Sequence, residues 1–122
     1  MNTIEKKMVE VLKNLAGECG VIEVKAEYEN EGSRPDELMR LKDVASSAGL
    51  PIIIKIGGVE AVSDIYSAIT LGAKGIIAPM AETKFAVSKF IDAIGQFVAV
   101  DTRSDIDFCI NIETITAYNN LD

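Results

Sequence analysis

Short apolar runs and longer amphipathic stretches alternate along this chain, and that rhythm restricts the fold more than any single motif. Val21 to Tyr28 alternates strictly: Ile22, Val24 and Ala26 fall on one side, Glu23, Lys25 and Glu27 on the other, the period-two pattern of a strand. Pro51 to Ile56 and Lys74 to Ala78 are short apolar runs of buried-strand type. Phe108 to Ile112 is a fourth, broken at Glu113. Between them lie stretches with helical spacing. Ile4, Met8, Val11, Leu12 and Leu15 form a stripe from Thr3 to Ala16, before Gly17 and Gly20. Ser33-Arg34-Pro35-Asp36 opens a helix to about Ala48, with Leu38, Leu41, Val44 and Ala45 as its stripe. Further helices are expected from Val59 to Leu71 and from Thr83 to Ile94, and Thr114 starts one more. A strand–helix alternation of this kind builds parallel sheets with the helices packed outside them. The expected fold class is therefore α/β.

Two places are less regular. Phe97 to Val100 fits a short strand or an irregular connection, and Asp101 to Asp107 reads as a polar turn. Glu29 to Gly32 reads as a polar loop. There is no low-complexity linker, so residues 1–122 are expected to form a single domain.

Composition excludes several function classes. The net charge is −7 with no Lys/Arg run, which argues against nucleic acid and anionic membrane as partners. No apolar run approaches the ~20 residues that cross a bilayer, and the first residues have no signal-peptide h-region. Cys19 and Cys109 are isolated and lack metal spacing; they are expected to be buried free thiols in a reducing, cytoplasmic setting. There is no His. That removes the usual general base, the Ser-His and Cys-His nucleophile pairs and His-based zinc sites. Catalysis would fall to carboxylates, Lys, Arg, Tyr or a bound metal.

The residues suited to chemistry cluster at expected strand ends: Lys25 with Glu27, Lys55 with Gly57 and Gly58, Pro79 with Glu82, and Glu113. The C-terminal rim of a parallel sheet is where ligands bind. Carboxylates with one or two cations there suit Mg²⁺ or Mn²⁺ and an anionic oxygen substrate. Lys55 closes an Ile-Ile-Ile run, where an unpaired ammonium would be costly. It is either a cation at a barrel mouth or one half of a structural ion pair. Gly57 and Gly58 either offer backbone N–H groups to a carboxylate or phosphate, or make a plain turn. Asp101, Asp105 and Asp107 are most simply a solvated loop.

Three blocks together resemble a known family: Ile54-Lys55-Ile56-Gly57-Gly58; Leu71-Gly72-Ala73 with Ile76-Ile77-Ala78-Pro79-Met80-Ala81-Glu82-Thr83; and Asn111-Ile112-Glu113-Thr114 with Ala117 and Asn120-Leu121-Asp122. In order and rough spacing they look like the aldolase/citrate lyase family (HpcH/HpaI type), over roughly Val21 to Asp122. The resemblance implies a metal-dependent (β/α)₈ TIM barrel that makes or breaks carbon–carbon bonds beside a pyruvate-like or acyl carbonyl. It implies that Glu113 matches a metal-binding acid and that Lys55 stands where an Arg usually polarises the substrate carbonyl. Glu27 stands where an acid lies near the metal-bound water, and Pro79, Met80 and Glu82 match a loop bordering the substrate. The chain departs from the pattern at Tyr28, where the family's aldolases use a His, and at Lys25, where they use an Asp.

A full barrel takes ~250 residues, so the resemblance implies a partial TIM barrel of about four to five βα units, a fragment of such a domain. An open sheet of that kind has edges that invite pairing; association with itself or with a partner chain is expected. The function expected is a metal-dependent carbon–carbon lyase acting on a 2-oxo acid or acyl substrate, incomplete in this chain alone. Two alternatives stand beside it: a Schiff-base aldolase using Lys55, and a non-catalytic or degenerate barrel subunit that associates with a partner.

Overall fold

Three consecutive isoleucines set the centre of the molecule. In the computed structural model, which describes residues 1–28 and 31–121, Ile52 and Ile54 point to one face of strand β2 (Ile52–Lys55) and Ile53 to the other. β1 (Val24–Glu27), β3 (Gly75–Ala78) and β4 (Asp107–Ile110) complete a four-stranded sheet in the order β1-β2-β3-β4, every neighbour parallel. β-Branched side chains suit these short strands because they pack on a pleated surface. The helices are α1 (Thr3–Cys19), α2 (Pro35–Ser47), α3 (Val62–Leu71), α4 (Lys84–Phe97), α5 (Val100–Arg103) and α6 (Ile115–Asn119). The architecture is α/β, as the alternation predicted.

The register separates the two faces of the sheet by residue parity. Ala26 lies beside Ile54, Ile54 beside Ile76, and Ile76 beside Phe108. These even-numbered residues pack against Leu38 of α2, Ile65 and Ala68 of α3, and Phe90 and Ala93 of α4. Ile54, Ile65 and Ile76 are fully buried. Each contributes about 1.5–3 kcal/mol by leaving water, so this layer supplies most of the driving force. The odd-numbered face carries Lys25, Glu27, Ile53, Lys55, Gly75, Ile77, Asp107 and Cys109 along the same registers. Nearly all its polar groups lie at the two ends of the strands.

Local chemistry fixes most boundaries. The Asn2 side chain accepts the Glu5 N–H at 2.9 Å and Glu5 returns the bond to the Asn2 N–H, a capping box that starts α1. The Thr83 and Thr114 hydroxyls accept from Ala86 and Ala117, both at 3.1 Å, starting α4 and α6. Gly72 ends α3 in the left-handed region at φ 82°, where a Cβ would be strained.

Several expectations need correction. α1 runs through Gly17 and stops only at Gly20, because a helix tolerates a glycine where its hydrogen-bond ladder is intact. Arg34, not Ser33, is the residue before the first turn of α2, and its N–H donates to Glu37 at 3.0 Å. α3 starts at Val62 because 59–61 form a turn, in which the Ala61 N–H bonds back to Gly58. Phe97 belongs to α4, and Val100 begins a short helix instead of a strand or turn. Arg103 secures that corner by donating to the carbonyls of Val98 (2.7 Å) and Gly95 (3.0 Å). β1 is shorter than its alternating pattern, and β4 begins at Asp107. Both cysteines are exposed, not buried: Cys109 sits on the open sheet face and Cys19 in the last turn of α1. Part of the expected Glu29–Gly32 loop, and the last residue, Asp122, lie outside the described residues.

Candidate functional site

Parallel pairing brings one acid and one base side by side. Glu27 ends β1, Lys55 ends β2, and the register sets them directly opposite each other on the odd-numbered face. The Lys55 ammonium lies 2.8 Å from Glu27 Oε2. Each residue is only 8% exposed, so neither charge is well hydrated and each depends on the other. The hydrogen bond to Glu27 raises the Lys55 pKa above the ordinary 10.5. Burial opposes this, and the charges of Glu27, Glu113 and Glu31 reinforce it. Lys55 is therefore a firmly protonated cation. An ammonium has three donors; among the described residues, Glu27 is the one acid that forms an ion pair with it.

Glu113 joins this rim from the loop after β4. Its Oε1 accepts the Met80 N–H at 3.1 Å and lies 3.4 Å from Asn111 Nδ2. Met80 adopts φ 53°, in the left-handed region. Pro79 is buried and Met80 is exposed. Glu82 takes part through its backbone, its carbonyl accepting Asn120 Nδ2 at 2.9 Å. The expected loop residues are thus held at two points, Met80 by Glu113 and Glu82 by Asn120.

Other candidates are placed differently. The Gly57 N–H donates to Asp64 Oδ2 of α3 at 2.7 Å, so that donor is already bonded within the chain. A Cβ at Gly58 would meet nothing within 4 Å, which fits a plain turn. Lys25 lies one rung below Glu27 on the same face and is exposed. Tyr28 contributes its N–H to the Lys55 carbonyl at 3.2 Å, and burial raises its hydroxyl pKa, with Asp64 adding to the effect. Asn111 and Asn120 stood in the quoted blocks with no role given to them, and Asp64, an acid in the first turn of α3, was missed although its position carried a recognisable signal.

Among the described residues, no three of His, Cys, Asp and Glu come together in a way that could hold a metal ion. Glu27 is committed to Lys55, and Glu113 is left as a single carboxylate. These residues do not amount to a metal site by themselves. Among the described residues, no helix is long and apolar enough to cross a membrane. Comparisons with family models, characterised proteins and solved structures give no match to this chain.

Proposed function

We propose that this chain provides the carbonyl-binding rim of a carbon–carbon lyase acting on a 2-oxo acid or a related acyl substrate. The supporting observation is the shielded Glu27–Lys55 pair at the C-terminal ends of adjacent parallel strands. Breaking the bond between the α- and β-carbons of such a substrate leaves the electron pair on the α-carbon as an enolate, while the β-carbon fragment departs as a carbonyl compound and its hydroxyl proton passes to water. A fixed ammonium within hydrogen-bond reach stabilises that charge as it develops. Glu27 keeps Lys55 protonated and aimed, the role of a positioning residue. The substrate carboxylate can share the remaining Lys55 donors. The same ion pair works against the Schiff-base alternative, because the nucleophile there is the neutral amine.

Dependence on Mg²⁺ or Mn²⁺ belongs to the resemblance, and no step above runs through a metal. The test is thermal unfolding with pyruvate or oxalate, with and without Mn²⁺, on the native chain, Lys55→Met and Glu113→Gln. Binding to the folded state alone raises stability by about 2.7 kcal/mol at a ligand concentration 100 times Kd. The native chain should show the shift and Lys55→Met should lose it. A shift that needs Mn²⁺ and disappears in Glu113→Gln would support the metal-dependent form. No shift in the native chain, or an equal shift in Lys55→Met, would overturn the proposal.

A further inference from the structure

We propose that the cleft between α2 and α3 binds a small aromatic carboxylate, its ring between the two helices and its carboxylate on Lys42. This goes beyond the lyase reading and does not depend on it, because the cleft lies on the helix-covered side of the sheet.

Residue parity creates the site. Glu27 faces the odd-numbered side and pairs with Lys55. Tyr28, the next residue, packs instead against the core beneath the helices. There it lines a cleft of about 460 Å³, within the size range of small-molecule sites. Leu38, Met39 and Lys42 line the cleft from α2, at the three- and four-residue spacing that puts side chains on one helix face. Tyr66, Ser67 and Thr70 line it from α3 at the same spacing. Both walls come from the interior of the chain, so the cleft does not rest on either terminus.

The lining favours a ring. Leu38 is buried, while Met39 and Tyr66, on opposite walls, are 61% and 48% exposed. A flat apolar ligand between them would remove that area from water. The Tyr66 ring meets Phe97 of α4 edge-on, with 6.5 Å between centroids and 76° between planes. A ring already set in place loses little further freedom when another packs against it. The Met39 thioether is also a favourable neighbour for an aromatic ring.

Charge favours the carboxylate. Lys42 is half-buried, and its stem runs past the end of α3, where a Cβ at Gly72 would lie 4.0 Å from Lys42 Cε. Lys42 forms no ion pair among the described residues. A carboxylate complements such an ammonium with a charge-assisted hydrogen bond. Asp43 also borders the cleft, but it is exposed and shared with the neighbouring hollow lined by Glu5 and Arg40. Tyr28 and Ser67 add hydroxyl groups. Burial, with Asp64 adding to it, holds the Tyr28 phenol above its ordinary pKa, and a hydrogen bond with Ser67 opposes this. Tyr28 therefore stays protonated at neutral pH.

The test is a fluorescence titration with 2-naphthoate, beside the uncharged 2-naphthalenemethanol. The chain has no Trp, so the probes can be excited beyond the absorption of tyrosine without protein background. The native chain should bind naphthoate about 3–10-fold more tightly than the alcohol. Lys42→Met keeps the stem and removes the ammonium; naphthoate should fall to the level of the alcohol, and the alcohol should change by less than about 2-fold. Ser67→Phe fills the cleft from an exposed helix position, and the two residues have similar helix propensity. It should abolish binding of both probes and keep the native circular dichroism. Excess pyruvate should leave naphthoate binding unchanged, and displacement would place the probe at the strand-end rim. That displacement, no saturable naphthoate binding, equal affinity of the native chain for both probes, or native-strength naphthoate binding in either variant would each overturn the proposal. The comparison of the two probes uses the native chain, so it decides the matter even where a variant does not fold.

Discussion

Gly75 is where the sheet leaves no room for a side chain. It lies on the odd-numbered face of β3, directly across from Ile53 of β2. A Cβ built there would fall 2.8 Å from Ile53 Cγ2, 3.4 Å from Ile53 Cβ and 3.5 Å from the Asp107 carbonyl oxygen. Carbon atoms prefer about 3.5–4.0 Å, so Gly75→Ala requires a retreat of roughly 0.7–1.2 Å. Ile53 is β-branched and stiff at χ1, so it cannot simply rotate clear. Either it leaves its rotamer or β2 and β3 separate. Overpacking of this sort costs about 1–3 kcal/mol. The alanine recovers about 0.4–1 kcal/mol by restricting the unfolded chain. The net loss should be about 1–2 kcal/mol, a fall in Tm of roughly 4–10 °C for a chain of this size. Urea and thermal unfolding followed by circular dichroism would measure it.

The control is Ile53→Ala, which removes the atom in the way. In that background Gly75→Ala should be neutral or mildly stabilising, giving a coupling well beyond the ~0.5 kcal/mol expected of independent sites. An unchanged Tm for Gly75→Ala alone, or additive effects in the double variant, would refute the argument. Function is at stake as well. Lys55 and Ile77 pair two residues further along these same strands, so a sheet wedged apart at Gly75 should also displace the ammonium. The ligand-induced shift of the native chain should shrink in Gly75→Ala.

Two further outcomes follow from the rim. Because the Lys55 pKa is raised in the folded chain, its contribution to stability is fully present below its unfolded value of about 10.5 and is lost as pH climbs through the higher folded value; the stability advantage of the native chain over Lys55→Met should hold at neutral pH and fade only above pH 10.5, in urea midpoints measured across the alkaline range. Met80 sits at φ 53°, a region that β-branched residues occupy at high cost, so Met80→Val should lose about 1–2 kcal/mol while Met80→Gly stays within about 0.5 kcal/mol, and equal stabilities for the two would show that the turn relaxes.

The core and the site differed in how far the sequence could disclose them. Helix caps are local events: Thr83, Thr114 and Gly72 act within three or four residues of themselves, so their roles were visible in the string. Arg103 reaching back to Gly95 and Val98 is a long side chain finding carbonyls around a corner, and nothing in the polar run from Asp101 to Asp107 announced it. The cysteines were misjudged for a related reason. Cys109 lies in a β-prone run that suggests burial, yet its odd position places it on the face the helices do not cover. Gly57 read equally as an anion-binding N–H or a plain turn, and only the approach of Asp64 from α3 showed that its N–H is already taken.

The sequence by itself determined the alternation of strands and helices, hence a parallel sheet, because hydrophobic periodicity and capping are properties of neighbouring residues. It also placed Lys55 and Glu27 at strand ends. Tertiary structure decided that these two residues meet. Register between β1 and β2 is fixed by which faces can be buried, and a slip of one residue would have turned Lys55 into the helix layer. The value of Lys55 as a cation therefore depends on Glu27, a partner 28 positions earlier in the sequence that only the packing of the sheet brings within 2.8 Å.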